Sequence, residues 1–400
     1  MKIAFLLHNV YAVGGTVRTT LNLAAALIEH GGHEVEIVSL SRHREAPRFP
    51  VDPRITLVPL VDPRAGTPDR LHPAYGEPAR DYPTADKRHQ QYTLLHDIRA
   101  RAYLEERCEA DVVIGTRPGL NVYLAQWAPK RALRIAQEHL RHDAHSDSLL
   151  NTLAQHYRTL DALVTVTEQD AEVYRAKVRL PGVRILSVPN IVPPAAVPPS
   201  DGSSKIIAAA GRLAPGKRYD LLLEAFAAVS AKHPDWELRI YGGGRQESRL
   251  RALVDELGLR GRARLMGTVS PIEPEFAQAS IVVSASDAES FGMTLVEAMR
   301  CGVPVVSTDA PLGPAEIITD GVDGRLVPVG NASALAETVM DLIEDEPARR
   351  KMGAAALSAA HRYDPEPIVA RYAALFTDLA ASRRRRAWSK LPARLRHPPR

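Results

Sequence analysis

Two carboxylates, Glu289 and Glu297, stand eight positions apart in the stretch Glu289-Ser-Phe-Gly-Met-Thr-Leu-Val-Glu297. The apolar run Ile281 to Ser286 before it reads as a strand, and Met293 to Arg300 after it reads as a helix. Glu289 then falls on the loop leaving the carboxyl end of a strand, where open α/β sheets bind ligands. Phe291, Gly292, Met293 and Thr294 lead into the helix, whose unpaired N–H groups and positive dipole end suit an anionic or hydroxyl-rich ligand. Glu297 lies about one turn further in, where its two oxygens can accept from a vicinal diol such as a ribose. Taken alone, glutamates at this spacing are more often a helix start and a helix face than a site.

Their company changes that reading. Upstream, Gly211-Arg212-Leu-Ala-Pro-Gly-Lys217 follows an apolar strand, Ile206 to Ala210, and precedes a helix starting at Tyr219. Arg212 and Lys217 put two cations on one strand-to-helix loop, able to neutralise a diphosphate without a metal. The segment is not a P-loop, because Arg218 stands where that motif needs the Ser/Thr that holds Mg²⁺. Tyr241-Gly-Gly-Gly244, with Gly243 at its centre, follows a third strand, and its glycines permit close approach of backbone to ligand. In the first half, Gly14-Gly15 lies between a strand and a helix, with Arg18 just inside. Gln137-Glu138-His139 ends another strand, and His139, His142 and His145 recur every third residue. Zinc uses such clusters, yet three histidines at this spacing drift around a helix, and a polar loop explains them more simply.

Together these motifs resemble the retaining glycosyltransferases of family 4 over nearly the whole chain. The resemblance implies an α/β protein of the GT-B fold, two Rossmann-like doubly wound domains facing across a cleft. It implies transfer of a hexose from a nucleoside-diphosphate sugar, with UDP-sugars the expected donors, to a hydroxyl acceptor with retention of configuration. In that scheme Arg212 and Lys217 stabilise the departing diphosphate and Glu297 holds the ribose. Glu289 and the Phe291–Thr294 amides hold the sugar hydroxyls, and His139 matches the family's active-site histidine. Gly15 and Gly243 admit the donor, and Gly267-Thr-Val269 resembles the base-binding turn through Val269. Gly14 and Arg18 fall on the acceptor-side loop. No cofactor or metal is required. The stretches Gly14 to Asn22 and Gly313 to Glu316 look similar to glucosyltransferases acting on cell-envelope glycerol-phosphate polymers, so an anionic polymer or a lipid-linked acceptor is expected. The alternatives are a non-catalytic nucleotide-sugar-binding protein of the same fold, or a GT-B epimerase or phosphorylase. A dinucleotide oxidoreductase is disfavoured, since no G-x-G-x-x-G follows the first strand.

The elements that must position these residues alternate strand and helix in both halves, which predicts parallel sheets covered on both faces. At 400 residues and 45% hydrophobic, the chain has material for two cores. The expected domains are an amino-terminal acceptor-side unit over 1–188, a proline-rich linker over 189–202 and a donor unit over 203–362. A helix over 363–382 that returns to the first domain follows, then a basic tail over 383–400. Thr16 is expected to cap the first helix, and 61–92, rich in spaced prolines, reads as a long surface loop. Residues 383–400 hold eight Lys/Arg and no acid, so the rest of the chain carries −4 against an overall +4. Such a tail suits an anionic lipid surface, with Trp388 and Leu391 as interfacial contacts. No nucleic-acid recognition motif accompanies the charge. Two cysteines far apart suit a reducing compartment. The opening Met1–Leu7 run is too short for a signal h-region, and no run approaches the ~18 apolar residues of a membrane span. A cytoplasmic protein, peripheral at the inner face of the membrane, is expected.

Overall fold

The computed structural model describes residues 1–390, with side chains to residue 385. The chain divides into two compact units, Met1–Ile191 with the described chain from Pro365 onward, and Val192–Asp364.

Unit 1 runs β1 Lys2–Leu7, α1 Gly15–Glu29, β2 Glu34–Ser41, β3 Thr56–Val61, α2 Pro68–Leu71, α3 Leu94–Ala102 and β4 Val112–Gly115. It continues with α4 Pro118–Trp127, β5 Leu133–Glu138, α5 Asp147–His156, β6 Ala162–Thr165, α6 Glu168–Lys177 and β7 Arg184–Ser187. All seven strands are parallel, in the order β3-β2-β1-β4-β5-β6-β7. The strands read as near-continuous apolar runs because both faces are covered. Ala4 and Leu6 face one core, while Ile3, Phe5 and Leu7 face the other.

Unit 2 runs β8 Ile206–Ala210, α7 Tyr219–Lys232, β9 Glu237–Tyr241, α8 Glu247–Glu256, β10 Ala263–Gly267, α9 Glu273–Phe276 and β11 Ile281–Ser284. Then come α10 Met293–Arg300, β12 Val305–Thr308, α11 Pro314–Ile317, β13 Gly324–Val327, α12 Ala332–Glu344 and α13 Glu346–Ala360. Its parallel sheet has the order β10-β9-β8-β11-β12-β13. The helix α14, Pro365–Lys390, belongs to unit 1, where Ile368, Tyr372 and Phe376 pack into the core beside α1.

Several expectations need correction. Gly14, not Thr16, occupies the cap of α1, with no side-chain cap bond. The 61–92 stretch is more than a surface loop, since Tyr82 and Tyr92 are buried and stacked with ring centroids 3.7 Å apart. The strand β3 just before it, and α4, α6 and β7 later, are additional elements. The basic segment does not begin as a free tail at residue 383. α14 continues to Lys390, and Arg383 pairs with Asp161 of unit 1 while donating to the Lys130 carbonyl at 3.0 Å. Leu391 and the remaining basic residues to 400 lie outside the described residues. Among the described residues, no helix is long and apolar enough to cross a membrane.

Candidate functional site

In each sheet the strand order reverses at one point, between β1 and β4 in unit 1 and between β8 and β11 in unit 2. Loops leaving adjacent strands diverge there and open a crevice at the carboxyl edge.

In unit 2 the loop after β8 carries Arg212 and Lys217, and the loop after β11 carries Glu289. The two loops are tied together by the Asp287 N–H donating to the Gly216 carbonyl at 3.0 Å. Lys217 Nζ pairs with Glu289 Oε1, which also accepts from Ser286 Oγ at 2.7 Å. The ammonium and carboxylate assigned above to different parts of a donor are therefore each other's partners here. Arg212 is exposed and has no ion pair among the described residues. Its neighbour Arg218 is held at φ 47 and pairs with Asp287 at 3.0 Å, so a third cation on this loop is a structural strut. Asp287 is the first cause of the raised Arg218 pKa.

Three glycine-bearing turns are stitched side by side along the same edge. The Gly211 N–H donates to the Tyr241 carbonyl at 2.9 Å, and the Gly242 N–H to the Gly267 carbonyl at 2.7 Å. A Cβ on Gly242 would lie 1.8 Å from the Gly211 carbonyl oxygen, so only glycine fits there. Gly243 and the half-exposed Val269 sit on the second and third of these turns. Gly292, at φ 111, caps α10, and a side chain there would be strained. Beyond it Met293 and Thr294 are half-buried and open the first turn, while Glu297 is 6% exposed one turn further in. Phe291 is fixed edge-on against Tyr363, with centroids 5.5 Å apart.

In unit 1, Gly14 and Gly15 need no special backbone conformation. Gly14 is extended at φ 165, and a Cβ on either residue would meet nothing within 4 Å. Neither folding strain nor internal packing explains glycine there, which leaves room at the amino end of α1 as the physical reason. Arg18 lies one turn into that helix. His139 follows β5, half-buried, with Nε2 sealed from solvent and without a hydrogen-bond partner. Burial, then the nearby Arg117 charge, push its pKa down to about 4, so the ring is neutral at pH 7.

The other two histidines of the triplet point elsewhere. His142 packs edge-on against Tyr174, and His145 Nε2 lies 3.7 Å from Glu138 Oε2. Among the described residues no group of three or more His, Cys, Asp or Glu is placed to hold a metal ion. Sequence reasoning passed over Glu138, fully buried and accepting from Asn121 Nδ2 at 3.0 Å and from the Tyr157 hydroxyl at 2.5 Å. Burial works against a charged His145, yet Glu138 raises its pKa overall.

Two doubly wound parallel-sheet units in one chain, each with such a crevice, make the GT-B fold. The structure of a Staphylococcus aureus TarM point mutant, in complex with fondaparinux, alpha-GlcNAc-glycerol and UDP, has the same fold. Its TM-score to this chain is 0.75 at 16% identity, over 94% of this chain and 99% of that one. The family described as Glycosyltransferase Family 4 matches residues 13–196, and that described as Glycosyl transferases group 1 matches residues 195–358. The two glycosyltransferase family models thus follow one another along the chain, together spanning residues 13–358. An exopolysaccharide phosphotransferase of Streptomyces coelicolor is 35% identical over 96% of this chain and 41% of its own length. A poly(glycerol-phosphate) alpha-glucosyltransferase of Bacillus subtilis is 29% identical over 38% of this chain and 23% of its own length. The chain thus spans less than half the length of either relative.

Proposed function

We propose that this chain transfers a hexose from a UDP-sugar to a hydroxyl of an anionic cell-envelope acceptor, with retention of configuration. The observation that carries this reading is the convergence at the unit 2 switch point: Lys217, Glu289 and the open first turn of α10, with Glu297 one turn behind. Unit 2 takes the donor and unit 1 the acceptor. Arg212, which has no ion pair among the described residues, and Lys217, which exchanges Glu289 for phosphate oxygens, stabilise the leaving diphosphate. Glu297 receives the ribose hydroxyls, and Val269 with the turn around Gly243 accommodates the base. Glu289, freed from Lys217, accepts from sugar hydroxyls alongside the Phe291–Thr294 amides. A neutral His139 donates or accepts at a sugar hydroxyl, and Gly14, Gly15 and Arg18 border the acceptor.

Such a site works by positioning and by stabilising charge on the leaving group. Transfer then proceeds on the front face through an oxocarbenium-like state, with Glu289 accepting from sugar hydroxyls rather than attacking the anomeric carbon. The cations do the work of a divalent metal. The UDP complex of the structural relative and the polyol-phosphate polymer in the name of the Bacillus relative support the donor and the acceptor class. The test is a panel of nucleotide sugars, scored by thermal stabilisation and by hydrolysis with NMR of the released anomer. Stabilisation by no UDP-sugar, or release of the inverted anomer, overturns the reading.

A further inference from the structure

The switch point of unit 1 carries a charge imbalance that the proposed donor chemistry does not use. Arg117 follows β4, anchored by Thr116, whose hydroxyl donates to the Leu6 carbonyl at 2.8 Å. The Arg117 side chain is only 16% exposed, and its Nε has no hydrogen-bond partner. The carboxylate beside it, Asp86, is 4.0 Å away at the limit of an ion pair. Asp86 is already engaged by the Tyr82 hydroxyl at 3.1 Å and by the Arg88 N–H at 2.8 Å. Arg88 is half-buried and reaches a neutral partner, Gln91 Oε1, at 3.0 Å. Its pKa is lowered by burial and then by the Arg117 charge. His8, which follows β1, is driven to about 3 by burial and then by both arginines. Among the described residues, the Arg117 guanidinium thus has one distant carboxylate and the Arg88 guanidinium a neutral amide, beside neutral rings.

This arrangement is rigid. A Cβ on Gly119 of α4 would lie 2.1 Å from the Tyr82 ring, so glycine there lets Tyr82 seat against the helix. Tyr82 stacks on Tyr92, whose hydroxyl meets His8 Nδ1 at 2.8 Å. The segment bearing Asp86 and Arg88 is therefore docked at the carboxyl edge. A largely buried guanidinium whose carboxylate stands 4.0 Å away is costly unless an anion completes it, and planar guanidiniums suit phosphate oxygens best.

We propose that Arg88 and Arg117 bind a phosphate group of the acceptor, a monoester or a diester. The proposal deepens the glycosyltransferase reading and rests on it for the word acceptor. The test is calorimetric titration of the full chain with inorganic phosphate and with dimethyl phosphate, at low salt and with saturating UDP present. The expected result is binding of at least one ion, weakened about tenfold or more in Arg88→Gln and in Arg117→Gln, with UDP affinity unchanged. That loss corresponds to ~1.4 kcal/mol. Arg88, being half-buried, serves alone if Arg117→Gln does not fold. Preference for dimethyl phosphate indicates a phosphodiester polymer, and preference for inorganic phosphate a monoester. Binding of neither ion, binding abolished by UDP, or affinities untouched in the folded variants overturns the proposal. Loss of UDP recognition with phosphate binding intact sinks the donor reading instead.

Discussion

Replacing Lys217 by alanine separates structure from chemistry at the proposed donor site. The Lys217 side chain is 30% exposed and its partner Glu289 is 14% exposed. A partly exposed pair of this kind is worth about 0–1 kcal/mol to the fold. Glu289 also keeps its bond from Ser286 Oγ at 2.7 Å, so the variant loses little stability. Catalysis is a different matter. A preorganised donor aimed at charge that develops in the transition state is worth about 3–4 kcal/mol. At ~1.4 kcal/mol per tenfold, that predicts a fall in kcat of about a hundredfold to a thousandfold.

The assay is UDP release from the donor that the nucleotide-sugar panel identifies, alongside the melting temperature. Lys217→Arg should recover part of the rate, because it restores charge without the compact ammonium. Arg212→Ala, exposed and without an ion pair among the described residues, should lose rate with no change in melting temperature. The double variant Lys217→Ala/Glu289→Gln is the sharper control. If the two side chains serve only each other, removing both is nearly neutral. If each meets substrate, the double variant is at least as slow as the worse single one. Near-wild-type rates in Lys217→Ala and Arg212→Ala, or an active double variant, would refute the diphosphate assignment.

Activity is expected to survive EDTA. Loss on chelation with recovery in Mn²⁺ or Mg²⁺ contradicts the cation-pair mechanism, and recovery in Zn²⁺ alone redirects attention to His139, His142 and His145. His8, His96 and His139 have folded pKa values of about 3, 4 and 4, below the usual 6.5. The unfolded chain therefore binds more protons between pH 6.5 and 4. Stability from these groups is complete above 6.5 and declines as pH falls through that window. Melting temperatures from pH 7.5 to 4.5 check this, and a flat profile contradicts it. His139 should likewise contribute no limb near pH 6.5 to the rate profile; a limb there that His139→Gln removes shows an ordinary, solvated imidazole. Arg383→Ala leaves Asp161, whose side chain is 7% exposed, without its guanidinium, and should cost about 1–3 kcal/mol in urea denaturation, whereas exposed Arg384→Ala should cost almost nothing.

The paired GT-B architecture was legible because its signals are local. Apolar runs such as Ile206–Ala210 and the helix Met293–Arg300 state their own type, and the strand–loop–helix order places Glu289 at a carboxyl edge before any contact is known. Interactions between distant segments left weaker traces. Arg218 reads as a failed P-loop residue, but its partner Asp287 lies on the loop after another strand, so its strut role needs the fold. The charge run from Arg383 resembles a free tail only while Asp161, 222 residues away, is out of sight. Proline spacing in 61–92 suggested a surface loop and hid Asp86 and Arg88. The contrary signal was present in Tyr82 and Tyr92, large rings that a wholly solvated segment has little reason to carry. Once buried, those rings seat the segment bearing Asp86 and Arg88, and Asp86 stands 4.0 Å from Arg117. Charge left over after a chain has satisfied its own contacts is what the fold makes available to a ligand. That residue of charge is invisible in a net total of +4.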